Sequence, residues 1–430
     1  MAAINPCLYD QIEISAESTS GDPKSVDIRL GVISLRIYED IFSPTLTAQV
    51  FMAIAGEVID GKGLYNGLPV RGGERVSIKI AGNSEENKGF DFTTPDTYWY
   101  VSAVNNYIKQ ENKEIFVMEL VSREAVTNET THLVKKYATD SKISDVAKDI
   151  LENKLKTKKP TDIDDTSNSY GFIGNLKKPF HTLVWLASKS SPTNNKRLAG
   201  FLFFETIKGY RFKGIDNLIK DGKKNATKYV YRNDKDIDRP SDRDILQYSI
   251  SQNTNLLKEM MRGKYSTFHM EFNPLDGRFT TVQNATFKLE DVQKKVESLG
   301  EPVEIPQLLS DPGVVSVSDM PSRIMTSVAD VGVLSKKASK QPSSNSQSNH
   351  PETVLRYNLL FTQVMSMIIP LNTEISAGDV IECEFRGDQH APNIGGYYLI
   401  KEICHHMDGQ RSVSSLKLVR DTYGEIVDNG

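Results

Sequence analysis

The segment Gly73-Glu-Arg-Val-Ser-Ile-Lys-Ile80 decides the fold, because its pattern returns near the end of the chain as Gly378-Asp-Val-Ile-Glu-Cys-Glu-Phe385. Each segment begins with a glycine and an acidic residue and then alternates apolar and polar residues. Alternation at period two is typical of a β-strand that places one face in a core. The sequence therefore predicts two related strands, one in each half of the protein.

The strands that follow these two segments also repeat in the same order. The first segment leads to Trp99-Tyr-Val-Ser-Ala-Val104 and Met118-Glu-Leu-Val-Ser-Arg123, and the second leads to Tyr398-Leu-Ile-Lys-Glu-Ile403 and Leu416-Lys-Leu-Val-Arg-Asp421. Any two β-meanders resemble one another, but the agreement in order, spacing and glycine-acid start favours an internal duplication. Since alternation fixes the face of each residue, three inward pairs should be equivalent: Val76 with Ile381, Val101 with Ile400, and Leu120 with Leu418.

The pattern along the chain predicts a mainly β protein with an α+β middle, in which two related antiparallel β-barrels carry inserted domains. Residues 1–125 form the first barrel in this interpretation, and residues 126–244 form the α+β domain. Residues 245–275 and 351–424 form a second, discontinuous barrel. Residues 276–350 are an insert whose polar end, 335–350, predicts a flexible loop, because it cannot bury enough apolar surface to offset its ordering entropy.

Two helices and a hairpin are predicted inside the α+β domain. Apolar residues between Ile143 and Leu155 recur at the spacing of a one-sided helix, and a second helix follows Pro179. A phenylalanine-rich hairpin comes next. We expect Trp185 on the second helix to pack in a shared core with these hairpin residues: Phe201, Phe203 and Phe212.

Composition excludes several classes of protein. The chain has 430 residues, of which 38% are hydrophobic and 25% charged, with a net charge of −4, as expected of a soluble globular protein. The sequence has no basic domain of the kind that binds nucleic acid. It also has no run of about eighteen apolar residues that would predict membrane insertion. The first residues lack a secretion signal, so we expect synthesis in the cytoplasm. Three distant cysteines without CxxC spacing predict neither a disulfide framework nor a metal or cofactor site.

Motifs for catalysis are weak. Cys404-His405-His406 contains reactive residue types, but neighbours on a strand point to opposite faces, so a Cys–His hydrogen bond is not expected. The acidic pair Asp164-Asp165 lies in a polar run that predicts a loop. The largest basic cluster is interpreted as the C-terminal end of the first helix, where the helix dipole favours cations; it comprises Lys154, Lys156, Lys158 and Lys159.

Three longer stretches resemble the central baseplate hub of T-even-like contractile-tailed bacteriophages: residues 38–50, residues 179–212 with their helix and hairpin, and residues 396–423. The resemblance covers nearly the whole chain and departs from the family at the polar segment 335–350. It implies tube-type barrels, a homotrimer, and a central spike bound below. It further implies contacts with tail tube or tube-initiator proteins and surrounding baseplate proteins, in a virion tail assembled in the host cytoplasm.

The expected function is therefore structural, not enzymatic. A trimer with two related barrels in each subunit presents six similar units, which would join a three-fold spike to a six-fold tube. Outward residues of the repeated strands are candidate interface residues, although a solvated strand face is the alternative for each: Ser77, Lys79, Glu382 and Glu384. The alternative function is a tail-associated peptidoglycan hydrolase, which would require an acid/base pair in the α+β domain.

Overall fold

The computed structural model describes residues 4–16, 24–56, 63–68, 70–111, 113–193, 199–232, 240–252, 255–274, 277–310, 313–328, 346–386 and 394–423. In these ranges the protein is mainly β, with helices concentrated in the middle of the chain, which confirms the predicted fold class. Within the same ranges, no helix has the length and apolar character needed to cross a membrane.

In the described residues, the first β-unit contains eight strands. They are β1 (Tyr9–Ala16), β2 (Lys24–Asp27), β3 (Val32–Asp40), β4 (Thr47–Ala55), β5 (Arg75–Ala81), β6 (Gly89–Phe92), β7 (Trp99–Gln110) and β8 (Lys113–Ser122). A 3₁₀ turn at Arg29–Gly31 precedes β3, and the one-turn helix α1 spans Leu64–Gly67. Every second side chain of β4 and β8 is buried, as alternation at period two predicts. These side chains form one core with those of β1, β3 and β5.

The middle region packs helices on a short sheet. Its elements are α2 (Arg123–Thr130), β9 (Lys136–Tyr137), α3 (Ile143–Asp149), β10 (Thr161–Ile163), β11 (Phe172–Ile173), α4 (Pro179–Lys189), β12 (Phe201–Thr206), β13 (Gly209–Gly214) and α5 (Ile215–Lys224). A π-helical turn, Ile150–Lys154, extends α3. Pro179 begins α4, a position where its missing N–H costs no hydrogen bond. Both predicted helices and the predicted hairpin are therefore present.

Trp185 packs against the core that contains the hairpin residues, but it is not buried in that core. Its ring is only partly buried and lies 5.3 Å from the ring of Phe172 and 5.4 Å from that of Tyr170. Leu183 and Leu186 lie on the side of α4 that faces the protein core, whereas Trp185 lies about 200° around the helix from Leu183. The prediction of a buried Trp185 was thus wrong, while the hairpin residues do lie in the core: Phe201, Phe203 and Phe212.

The rest of the chain supplies the second β-unit and the insert. In chain order these elements are β14 (Thr227–Arg232), β15 (Gln247–Gln252), α6 (Leu256–Met261), β16 (Ser266–Asn273), β17 (Arg278–Lys288), α7 (Leu289–Gln293), β18 (Gln307–Ser310), β19 (Gly313–Ser316), β20 (Arg323–Val328), α8 (Ser346–Leu359), β21 (Gln363–Pro370), β22 (Val380–Arg386), β23 (Gly396–Asp408) and β24 (Ser412–Arg420). The second β-unit consists of β14, β15 and β21–β24.

Three assignments in this part of the chain need correction. Strand β16 was expected in the second barrel, but it pairs with β17 and β20 in a separate sheet, and β21 pairs with β15 instead. Strand β14, assigned to the α+β domain, pairs in parallel with β22. Residues 346–350 begin α8, and residues 335–345 of the predicted polar loop lie outside the described residues. With these changes, the division into domains stays a prediction.

The two β-units share one continuous sheet. Its strands follow the order β15-β21-β24-β23-β3-β4-β8-β7-β5-β1-β2, and β22 pairs with the first part of β23. The units meet where the second part of β23 pairs with β3 in antiparallel fashion, over Glu402–Asp408 and Ser34–Asp40. We call this pairing the internal junction.

Candidate assembly site

The two β-units have the same strand order. In the first unit β3-β4-β8-β7-β5 are neighbours, and in the second β15-β21-β24-β23-β22 are neighbours, with every pair antiparallel. A further backbone bond in each unit links the residues just before β3 to β1, or the residues just before β15 to β14. Ile28 N donates to Ile12 O, and Ile245 N donates to Val230 O, each at 2.9 Å.

The predicted core pairs agree in register. Val101 pairs with Leu120 in the first unit, and Ile400 pairs with Leu418 in the second. Val76 lies opposite Trp99, two residues before Val101, while Ile381 lies opposite Tyr398, two residues before Ile400. In both units a bulge follows immediately. The inward positions are buried, as the sequence predicts: Val76, Val101, Leu120, Ile381, Ile400 and Leu418.

The glycine at the start of each repeat makes the same backbone contact. Gly73 N donates to Val101 O, and Gly378 N donates to Ile400 O, both at 2.8 Å. The two glycines have φ angles of +91° and +85°. Residues with a Cβ atom rarely adopt this conformation, so the turn requires glycine at both positions. The acidic residue that follows, Glu74 or Asp379, accepts a hydrogen bond from the backbone N–H three positions earlier.

The outward residues of β5 contact neighbouring strands of their own unit. Ser77 Oγ accepts a hydrogen bond from Gln11 Nε2 at 3.3 Å. Lys79 is exposed, and its Nζ lies 3.4 Å from a carboxylate oxygen of Asp91. An ion pair with this exposure contributes little to stability, so Lys79 is free to change partners.

The outward residues of β22 occupy the equivalent positions, and both are acidic. Lys228 Nζ on β14 lies 3.2 Å from Glu382 and 3.0 Å from Glu384. Hydrogen bonds from Arg386 and Lys228 lower the pKa of Glu384 to about 2. The four candidate interface residues are therefore in contact within the subunit, and their role between subunits stays a prediction.

Glu39 joins the two β-units to the α+β hairpin. Its carboxylate accepts hydrogen bonds from Ile207 N at 2.9 Å and from Ala377 N at 2.7 Å. The residue lies on β3 within the internal junction, opposite Ile403, and is only 2% exposed. Burial raises its pKa to about 7, against the opposing effect of the two N–H donors. No sequence motif marked this glutamate, because its partners are distant in the chain.

The raised pKa of Glu39 predicts a pH-dependent stability. The unfolded chain binds this proton near its ordinary pKa of about 4.3, so the folded protein binds it more tightly. The stabilisation that this proton contributes is fully present below about pH 4.5 and is lost as the pH rises through 7. As the pH is raised from 5 to 8, the free energy of unfolding of wild type, measured in urea, should fall by about 2–3 kcal/mol relative to that of Glu39→Gln.

The matched control for this titration is Glu85→Gln, at an exposed position. Its difference from wild type should stay constant over the same pH range. Parallel pH profiles for wild type and Glu39→Gln would contradict the assignment of the titration to Glu39.

A second buried ionic cluster links β8, the α+β region and the β12–β13 hairpin. Lys159 Nζ lies 2.6 Å from Glu205 and 3.0 Å from Glu124, and both carboxylates are fully buried. Glu205 also accepts hydrogen bonds from Ser122 Oγ and Leu46 N. Lys159 was predicted to be a helix-terminal cation, which is wrong, because the helix has ended before it.

The Cys404-His405-His406 string alternates across β23 as expected. His405 is buried, and its Nδ1 lies 3.0 Å from Ser414 Oγ. Burial lowers the pKa of His405 to about 3, so the ring is neutral at physiological pH. His406 faces the other way, where its Nδ1 accepts a hydrogen bond from Arg36. These contacts give the string a structural role in the internal junction.

Asp164, the first residue of the acidic pair in the α+β region, also has structural partners. Asp164 accepts hydrogen bonds from Gly214 N at 3.0 Å and from Asn217 Nδ2 at 2.7 Å. Its contacts therefore fix the turn between β13 and α5. Among the described residues, no cluster of three or more metal-ligating side chains is present.

No protein-family model and no curated protein sequence matches this chain. Its fold is similar to that of a tail protein from Neisseria meningitidis MC58, with a TM-score of 0.56 and 9% identity, covering 96% of this chain and 97% of that one. It is also similar to the 43 kDa tail protein of prophage MuSo2 from Shewanella oneidensis, with a TM-score of 0.52 and 9% identity, covering 95% and 98%. The chain thus has the fold of these tail proteins, which confirms the resemblance at the level of fold.

Proposed function

We propose that this protein is the structural hub of a phage tail baseplate and works as a homotrimeric ring. The observation that carries the proposal is the duplicated strand order, with its matching glycine turns, bulges and core pairs. The similarity in fold over nearly the whole chain to two tail proteins, one of them from a prophage, supports the same class. On this proposal the protein resides in the virion tail after assembly in the host cytoplasm.

Duplication gives the ring a mixed symmetry. Three copies have strict three-fold symmetry, but each copy contributes two similar β-units, so the ring has six related units. One end can then bind a three-fold central spike, and the other can bind a six-fold tail tube or its initiator. Surrounding baseplate proteins would contact the outside of the ring.

The function is one of binding and assembly. The polar clusters that could suggest chemistry in the described residues link structural regions: Lys159 with Glu124 and Glu205, and Asp164 with Gly214. None of these contacts favours the alternative of a peptidoglycan hydrolase. A turbidity assay on cell walls with purified protein should show no lysis.

Light scattering on the purified protein tests whether it forms the proposed trimer. Three chains of 48.1 kDa should give a mass of about 144 kDa. A stable monomer, both alone and with the spike protein present, would contradict the proposal.

A further inference from the structure

We propose that an exposed turn of the α+β region docks on the β18–β19 hairpin of a second copy. The turn lies between β11 and α4, and the hairpin belongs to the insert, so this contact lies outside the two β-units. The inference rests on the proposed homotrimer and identifies a surface through which its copies recognise one another. Backbone conformation, exposure and charge at the two places support it.

The turn at residues 174–177 holds a leucine in a conformation that favours glycine. Asn175 and Leu176 have φ angles of +49° and +59°, and Lys177 N donates to Gly174 O at 3.0 Å, as in a type I′ turn. Asn-Gly is the preferred pair at these positions, because a Cβ atom makes the left-handed conformation costly. Leu176 is nevertheless 65% exposed, so burial in the core does not offset this cost. Its side chain is placed for contact with another molecule.

Two neighbours of Leu176 are also apolar and exposed. Val134 is 69% exposed and Ile173 is 54% exposed. The three belong to one two-stranded ribbon, because Leu176 N donates to Leu133 O and β9 pairs with β11. Single exposed apolar residues are common, but several around one strained turn form a patch that another protein can cover. Together with two adjacent lysines we call this patch the basic knob: Val134, Ile173, Leu176, Lys136 and Lys177.

Cations surround the apolar part of the basic knob. The ribbon contains four lysines and no acidic residue over residues 131–139 and 166–178. Two of these lysines, Lys136 and Lys177, are exposed and form no ion pair with any described residue, whereas the other two have carboxylate partners in the same copy. The charge of Lys136 and Lys177 is therefore available to an acidic partner surface.

The β18–β19 hairpin is apolar on both faces. Within the described ranges its strands pair only with each other, with Leu308 opposite Val315 and Leu309 opposite Val314. All four side chains are exposed, Leu309 to 91% and Val314 to 58%. Neighbours on a strand point to opposite faces, so neither face of the hairpin is polar here. A two-stranded hairpin is marginally stable alone and gains stability by packing against another element.

Carboxylates surround this hairpin. Residues 296–322 contain five acidic residues and no basic one. Glu301 and Glu304, which lead into β18, are exposed and have no ion-pair partner in the described part of the chain. The hairpin thus has the charge pattern opposite to that of the basic knob, around a similar apolar centre. Contact between the two surfaces pairs opposite charges, whereas contact of either surface with itself places like charges together.

A second copy supplies the complementary surface. The basic knob and the hairpin are both exposed in one copy, so they do not cover each other within it. Each copy carries one of each, so the knob of one copy can bind the hairpin of the next while its own hairpin binds the previous one. Such a head-to-tail contact closes into a ring when the rotation between copies completes a turn.

Charge reversal tests this docking. Lys136→Glu/Lys177→Glu places carboxylates against those of the hairpin, and Glu301→Lys/Glu304→Lys places lysines against those of the knob. All four side chains are exposed, so both variants should fold normally. In a dilution series followed by mass photometry, each variant should raise the concentration at which trimers dissociate by at least about tenfold.

A combined variant and a control accompany this experiment. The combined variant carries all four changes and restores opposite charges, so its trimers should dissociate within about threefold of the wild-type concentration. Lys148→Glu/Lys220→Glu makes the same change in net charge as the first double variant, at exposed positions on α3 and α5. This control should dissociate as wild type does.

The apolar part of the basic knob is tested by Leu176→Gly. Glycine suits the turn, because it adopts positive φ angles readily, so the variant should keep the circular dichroism of wild type. Its trimers should nevertheless dissociate at a concentration about tenfold higher, since the exposed leucine is the centre of the contact. Leu30→Gly, at another exposed leucine, is the control and should leave the dissociation unchanged.

The outcomes separate the docking from the ring. Weaker trimers in both double variants, with recovery in the combined variant, would support the docking. Trimers that resist dilution equally in every variant would overturn the docking and leave the ring intact. A loss that the combined variant does not recover, or that the lysine control shares, would overturn the docking in the same way. A wild type that is monomeric at every concentration would overturn both.

Discussion

Replacing Arg356 with methionine should lower the free energy of unfolding by about 3–5 kcal/mol, because it leaves buried carboxylates without a cation. Arg356 lies on α8 and is 1% exposed. Its guanidinium donates to Asp216 at 2.9 Å, to Asp421 at 2.8 Å and to the carbonyl of Glu297 at 3.0 Å. These contacts tie α8 to α5, to the segment after β24 and to the insert.

The control for Arg356 is Arg386→Met. Arg386 also contacts a carboxylate, that of Glu384 at 2.7 Å, but its side chain is 60% exposed. An exposed pair contributes about 0–1 kcal/mol, so this variant should unfold close to wild type in urea. Equal losses in the two variants would contradict the role assigned to the buried arginine.

Replacing Lys159 with methionine should have a similar effect, about 3–5 kcal/mol at pH 7.5. The change leaves Glu124 and Glu205 buried without their shared cation. Burial favours the protonated form, but Lys159, Thr157 and Arg123 hold the pKa of Glu124 below its usual value in wild type. Without Lys159 burial should raise that pKa.

The loss in the Lys159 variant should therefore depend on pH. A group whose pKa is raised in the folded state stabilises the protein less as the pH rises. The difference in the free energy of unfolding between the variant and wild type should therefore be smaller at pH 5 than at pH 7.5. Urea unfolding at both values measures this gap. Lys158→Met, at an exposed neighbouring position, is the control and should cost little at either pH. A gap that widens toward acid would contradict the assignment.

Sequence reasoning succeeded where a local pattern determines the structure. Alternation at period two placed Val101 and Ile400 on inward faces, and the glycine-acid start marked the two equivalent turns. Both features depend on residues close together in the chain. The equivalence of the three core pairs followed from them.

Partner choice over long distances could not be predicted in the same way. Strands β16 and β21 both alternate, and nothing local indicates which of them pairs with β15. Trp185 was misplaced because its helix is apolar on more than one side. The ion pairs of Arg356 join residues 140 and 65 positions apart, which a single sequence does not reveal.

Cryo-electron microscopy of the purified protein tests whether three copies form a ring. We expect a closed ring in which six β-units follow one another at rotations of about 60°. A particle whose two β-units do not alternate around one axis, or a single chain with no ring, would contradict the account.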